Sequence, residues 1–138
     1  MNKMTNTFIF FILVVTLCSC DERKFDRDGW INDDPVDYSN RRSMVNDILH
    51  NKILDNKEIS QVTDLLGKPE WVDTAKSGVV IKMYYIVQLS YGYDIDPKFS
   101  KLLELEIDNG KIKNVKIVMG IDRRSYIEKI FTNYKIVS

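Results

Sequence analysis

The chain has 138 residues, and its 20 Lys and Arg balance 20 Asp and Glu to a formal net charge of +0. That length suits one modest domain, and the even balance lacks the basic excess that marks nucleic-acid binders. Two cysteines and one histidine leave little material for metal sites or disulfides.

The chain opens with Met1-Asn2-Lys3, and Phe8 to Val15 is unbroken apolar sequence. One positive charge before a short apolar run is the layout of a secretory signal. The run falls short of the roughly 20 apolar residues that a spanning helix needs. It ends at Leu17-Cys18-Ser19-Cys20, which resembles the bacterial lipobox: a branched aliphatic, a tolerant position, a small residue and a cysteine. Cutting before Cys18 would place bulky Leu17 at the position that favours small side chains, whereas cutting before Cys20 places Ser19 there.

The resemblance implies that residues 1–19 are removed and that Cys20 becomes the mature N-terminus. Cys20 would carry a thioether-linked diacylglycerol and an N-acyl chain such as palmitate. One acyl chain binds membranes marginally, and two or three hold firmly. The mature chain would keep one cysteine, alkylated, so neither a disulfide nor a multi-thiolate zinc site could form. It would carry 19 basic and 20 acidic residues, because only Lys3 leaves with the signal. The alternative is a secreted protein cut elsewhere.

Residues 20–39 read as a polar, acidic tether, with Phe25, Trp30, Val36 and Tyr38 as apolar exceptions that could dock on the domain. Within it, "DRDGWINDD" partly matches a calcium loop. With Gly29 as the loop glycine, Asp26 and Asp28 fall on ligand positions. Lys24 and Pro35, however, stand where the first acid and the closing glutamate belong. Asp26 and Asp28 are therefore weak metal candidates, and a solvated Gly turn is the plainer reading.

Residues 40–138 read as a single α+β domain. A helix is expected over about Arg41–Asn51, capped by Asn40, with Met44, Val45, Ile48 and Leu49 on one stripe. The lone histidine, His50, sits at its end, where a cation suits the helix dipole. A second helix is expected over Lys57–Leu66, capped by Asn56 and stopped by Gly67 and Pro69.

After Pro69 the period becomes that of strands. Trp71-Val72 is a short strand, and Ala75 to Gly78 a turn. From Val79 to Leu89 every second residue is apolar: Val79, Ile81, Met83, Tyr85, Val87 and Leu89. That is the pattern of an antiparallel strand with one buried face. Leu102–Ile107 and Ile112–Val118 are two further strands around Asp108-Asn109-Gly110, a hairpin signal. A two-residue loop places Leu103 opposite Lys116. A three-residue loop with a bulge places it opposite Val115 and keeps the face apolar for longer, and is favoured on that ground. Residues 123–134 carry Ile127, Ile130, Phe131 and Tyr134 at helical spacing, after Asp122 as a cap. A strand over Thr132–Val137 is the alternative.

"NRRSMVNDIL" and "DRRSYIEKIF", from Asn40 and Asp122, read as a diverged repeat or as two like-phased amphipathic helices. Their arginines, Arg41, Arg42, Arg123 and Arg124, oppose the dipole of a first helical turn. They would pair with acids such as Asp37 or meet lipid phosphates.

No catalytic constellation is legible: there is no G-x-S-x-G, no H-E-x-x-H and no phosphate-cradling glycine loop. No catalytic residue and no cofactor beyond the Cys20 lipid is assigned. "YYIVQLSYGYDI" offers Tyr84, on the strand face opposite Tyr85, and Tyr91 and Tyr93 in a loop. Tyrosines at a loop make partner anchors, unless helices cover them.

The order of lipobox, two short helices, "EISQVTDLLGKPE" and antiparallel strands resembles the SmpA/OmlA (BamE-like) lipoproteins of outer-membrane-protein assembly. It also resembles the superfamily holding the β-lactamase-inhibitor fold. Val62, Leu65, Leu66, Gly67 and Pro69 carry the match, which covers about Ile53–Val118. Asp55-Asn56-Lys57 replaces the usual Gly-Met/Leu-Thr entry to the second helix. The expected architecture is two N-terminal helices packed on a three- or four-stranded antiparallel sheet.

The expected function is a non-enzymatic, lipid-anchored envelope protein that binds a protein partner as scaffold, assembly subunit or inhibitor. The alternative is a small-ligand-binding or enzymatic domain using the Tyr91–Asp96 loop, with Asp94 and Asp96 as its carboxylates. Asp21 and Glu22 after the lipid site resemble an inner-membrane retention signal under one bacterial sorting rule. Under another they resemble a surface-export signal.

Overall fold

The computed structural model describes residues 22–91 and 97–120. Three helices come first: α1 (Arg27–Ile31), α2 (Ser39–His50) and α3 (Ile59–Leu66). Four strands follow: β1 (Trp71–Thr74), β2 (Val80–Tyr91), β3 (Pro97–Asp108) and β4 (Lys111–Gly120). The strands form one antiparallel sheet in chain order. The fold is α+β, as the change of period after Pro69 predicts.

The helices cover one sheet face. Met44 and Ile48 of α2 and Val62 and Leu66 of α3 meet Met83, Tyr85 and Val87 of β2 and Leu103 and Leu105 of β3. All nine are 1 % exposed or less. Alternation is correct through the middle of β2 and fails at its start, where Val79 is 59 % and Ile81 40 % exposed. The buried stretch ends before the strand does. Tyr85 follows its parity into the core, and its hydroxyl donates to the Gly67 carbonyl at 3.0 Å.

Residues 22–38 do not behave as a free tether. Trp30 on α1 is 0 % exposed and belongs to the same core. Phe25 packs against it at 6.1 Å, and its N–H donates to Asp47 Oδ2 at 2.8 Å. The Arg23 N–H donates to the Ser43 carbonyl at 3.0 Å. A five-residue helix fully buries only Trp30, with Ile31 packed partly against the core, so no period shows among its charges.

The helix caps differ from expectation. Asn40 does not cap α2. Asp33 does so from outside the helix, accepting from the N–H groups of Asn40 at 3.2 Å and Arg41 at 2.7 Å. Asn56 does not cap α3. Its N–H and the Lys57 carbonyl pair with Ile112, which covers the outer edge where β4 begins. Glu58 holds the cap position instead, and Gln61 accepts its N–H at 3.0 Å. Gly67 ends α3 at φ 78 and ψ −164, a region essentially reserved for glycine.

The β3–β4 register matches neither expected alternative. The loop has two residues, Asn109 (φ 51) and Gly110 (φ 77), so Asp108 faces Lys111. A shift follows between Glu106 and Ile107, and Leu103 then faces Ile117. The extra residue lies on β4 rather than in the loop. It aligns Leu105 with Val115 and Leu103 with Ile117, which preserves the apolar face. Residues 123–137, for which a helix or strand is expected, lie outside the described residues.

Candidate functional site

The sheet face turned away from the helices carries the chemistry. Trp71 on β1 sits directly across from Tyr84 on β2. Their rings stack at 5.3 Å and 24°. The Tyr84 hydroxyl donates to Asp73 Oδ2 at 2.9 Å. Burial, then the Asp73 hydrogen bond and the charges of Asp73 and Glu104, push the Tyr84 phenol well above its ordinary value. It remains a neutral donor wherever the protein is folded at moderate pH.

A charged ladder continues the same face. Glu104 lies opposite Tyr84, with its side chain only 8 % exposed. Lys82 reaches it at 3.2 Å and Lys116 at 3.1 Å. Lys116 also reaches Glu106 at 2.7 Å, and Asn114 Nδ2 donates to Glu106 at 3.2 Å. Those two hydrogen bonds hold the Glu106 carboxyl below its ordinary value. Hydrogen bonds to Glu106 and Glu104 raise the Lys116 ammonium above its own. The result is an aromatic stack beside a charge-compensated lattice.

A second constellation closes the sheet edge. β1 pairs with β2 only as far as Tyr84. Just beyond, the Ile86 N–H donates to Glu70 Oε2 at 3.1 Å, and Arg41 Nη1 donates to the Ile86 carbonyl at 3.1 Å. Arg41 and Glu70 bond to each other at 2.8 Å. The guanidinium lies 5.3 Å from the Trp30 ring and 5.0 Å from the Tyr38 ring. Arg41 therefore pairs with Glu70 and not with Asp37, whose carboxylate accepts the Ser39 N–H. Arg42 stays exposed, and Arg123 and Arg124 lie outside the described residues.

Two of the three candidate tyrosines, Tyr84 and Tyr91, lie among the described residues. Tyr84 belongs to the Trp71 step. Tyr91, 43 % exposed, ends β2 seven residues on, about 23 Å at strand rise. Tyr93, Asp94 and Asp96 lie outside the described residues, as does Cys20. Asp26 caps α1 by accepting the Gly29 N–H at 2.9 Å. Asp28 lies 3.3 Å from Arg27 on the surface. Among the described residues, no three His, Cys, Asp or Glu side chains gather at metal spacing.

Sequence reasoning passed over Trp71, Glu70 and Arg41 as partners. Trp71 could have been paired with Tyr84 had the short β1 been aligned against β2. The Arg41–Glu70 pair spans 29 residues and leaves no local signal.

The chain matches no protein-family model, no curated protein and no solved structure.

Proposed function

We propose that this chain is a cell-envelope lipoprotein, anchored through acyl chains on Cys20, that works by binding another protein and performs no catalysis. The observation that supports the anchor is Leu17-Cys18-Ser19-Cys20 directly after the apolar run. The Trp71–Tyr84 step and its salt-bridged surround support the binding role. Aromatic side chains held in place by neighbours lose little entropy on contact and dominate binding energy at many interfaces.

The test is site-specific photo-crosslinking in intact envelopes. A photoreactive residue replaces Lys82, beside the aromatic step, or Ser60, exposed on α3 on the other side of the sheet. The expected result is one discrete protein adduct from position 82, lost in a Trp71→Ala, Tyr84→Ala background. No adduct, or the same adducts from both positions, argues against the binding surface. Replacement of Cys20 by Ala should move the protein out of the membrane fraction, and retention there argues against the anchor.

A further inference from the structure

One residue, Asp21, separates Cys20 from Glu22, and the chain from Glu22 onward is bonded to the domain. Glu22 Oε1 accepts from Asn46 Nδ2 at 3.2 Å, and the Arg23 main chain bonds Ser43. Two extended residues span about 7 Å at most. A lipid on Cys20 therefore does not hold the domain on a long leash. Glu22, the first described residue, bonds Asn46 on the exposed stripe of α2 formed by Arg42, Asn46 and His50, and Cys20 can be no more than about 7 Å from it. That stripe lies opposite Met44, Val45 and Ile48, which face the sheet.

We propose that this stripe, with Arg23 and Lys24, lies against the lipid headgroups, so that the Trp71–Tyr84 face of the sheet points away from the bilayer. The inference rests on lipidation of Cys20. The charges agree with it. Lys24 and Arg42 are exposed and form no ion pair within 4.0 Å among the described residues. Glu22 and Asp47 keep their charge, since their partners (Asn46; the Phe25 N–H and Asn51 Nδ2) are neutral, and Arg23 is shared with Asp26 at 3.8 Å, so Lys24 and Arg42 are the cations that would meet the headgroups. A groove of about 500 Å³ between Lys24 and His50 opens on the same side. Cations near an anionic leaflet are drawn to it, and the attraction fades within a Debye length, about 8 Å at physiological salt. A reach of at most about 7 Å to Glu22 lets Lys24 come within that range.

The experiment uses full-length chain processed in a bacterium, with the lipid on Cys20 verified by mass. A single cysteine at His50→Cys or Asn114→Cys is labelled with a fluorophore. Asn114 is exposed on the face away from the helices. The protein is placed in vesicles of phosphatidylethanolamine and phosphatidylglycerol that carry a headgroup spin label, and in vesicles of neutral lipid alone. The label at position 50 should be quenched several-fold more than the label at 114, with a larger gap on anionic lipid. Equal quenching at both sites, or stronger quenching at 114, overturns the orientation while leaving the anchor standing. A gap that ignores lipid charge overturns the headgroup contact. An unmodified Cys20 overturns the anchor and the orientation together.

Discussion

Arg41 bonds Glu70, the Trp30 carbonyl and the Ile86 carbonyl, and it lies over two aromatic rings. With side chains only 10 % and 22 % exposed, the pair cannot lose one member without stranding the other. Glu70→Ala should cost about 3 kcal/mol in urea unfolding, the low end for a broken buried pair because Glu70 is partly wet. The double change Arg41→Ala, Glu70→Ala should cost less than the two single changes added together, and simple additivity would contradict the coupling. Tyr84 and Tyr85 give a pH prediction. Burial, above all, raises both phenols well above the ordinary 10.0. The folded state thus holds these protons more tightly than the unfolded chain does. The stabilisation is complete below pH 10 and drains away as pH rises through the folded values. The tyrosinate absorbance of Tyr84 and Tyr85 should therefore appear only together with loss of structure, above pH 10. Ionisation of all tyrosines near 10 in a protein still folded would contradict it.

Trp30 decides whether residues 22–38 belong to the fold. Trp30→Ala removes a fully buried aromatic and should cost about 3–5 kcal/mol. It should also expose Arg27 to trypsin, and unchanged cleavage there would show that α1 is held by something else. Gly67→Ala forces a side chain into a glycine-only conformation, at about 1–3 kcal/mol read as a fall in Tm. The sequence made α2, α3 and the strands legible because each is long enough to repeat its period against a buried face. Residues 26–31 form one turn and cannot. Cap assignments failed because Asp33 reaches α2 across a turn, and because Asn56 is spent on Ile112. The hairpin loop was legible from Asn109-Gly110. The bulge beyond it was not, since its cause is cross-strand matching of Leu103 with Ile117. The candidate site was half legible: Tyr84 by parity, but not the Trp71 ring that makes it a step.

At the scale of the whole molecule, the domain is a two-layer sandwich with a helix side and a sheet side, and the chain enters on the helix side. Lipid on Cys20 would make entry and membrane coincide, with the Trp71–Tyr84 face of the sheet on the far side. The anchor and the orientation of the domain both depend on that lipid. The most direct measurement is intact mass and N-terminal peptide mass spectrometry of the protein extracted from bacterial membranes. The account predicts a mature chain beginning at Cys20 and bearing a diacylglyceryl group with an N-acyl chain. An unmodified Cys20, or a mature chain beginning at any other residue, would contradict it.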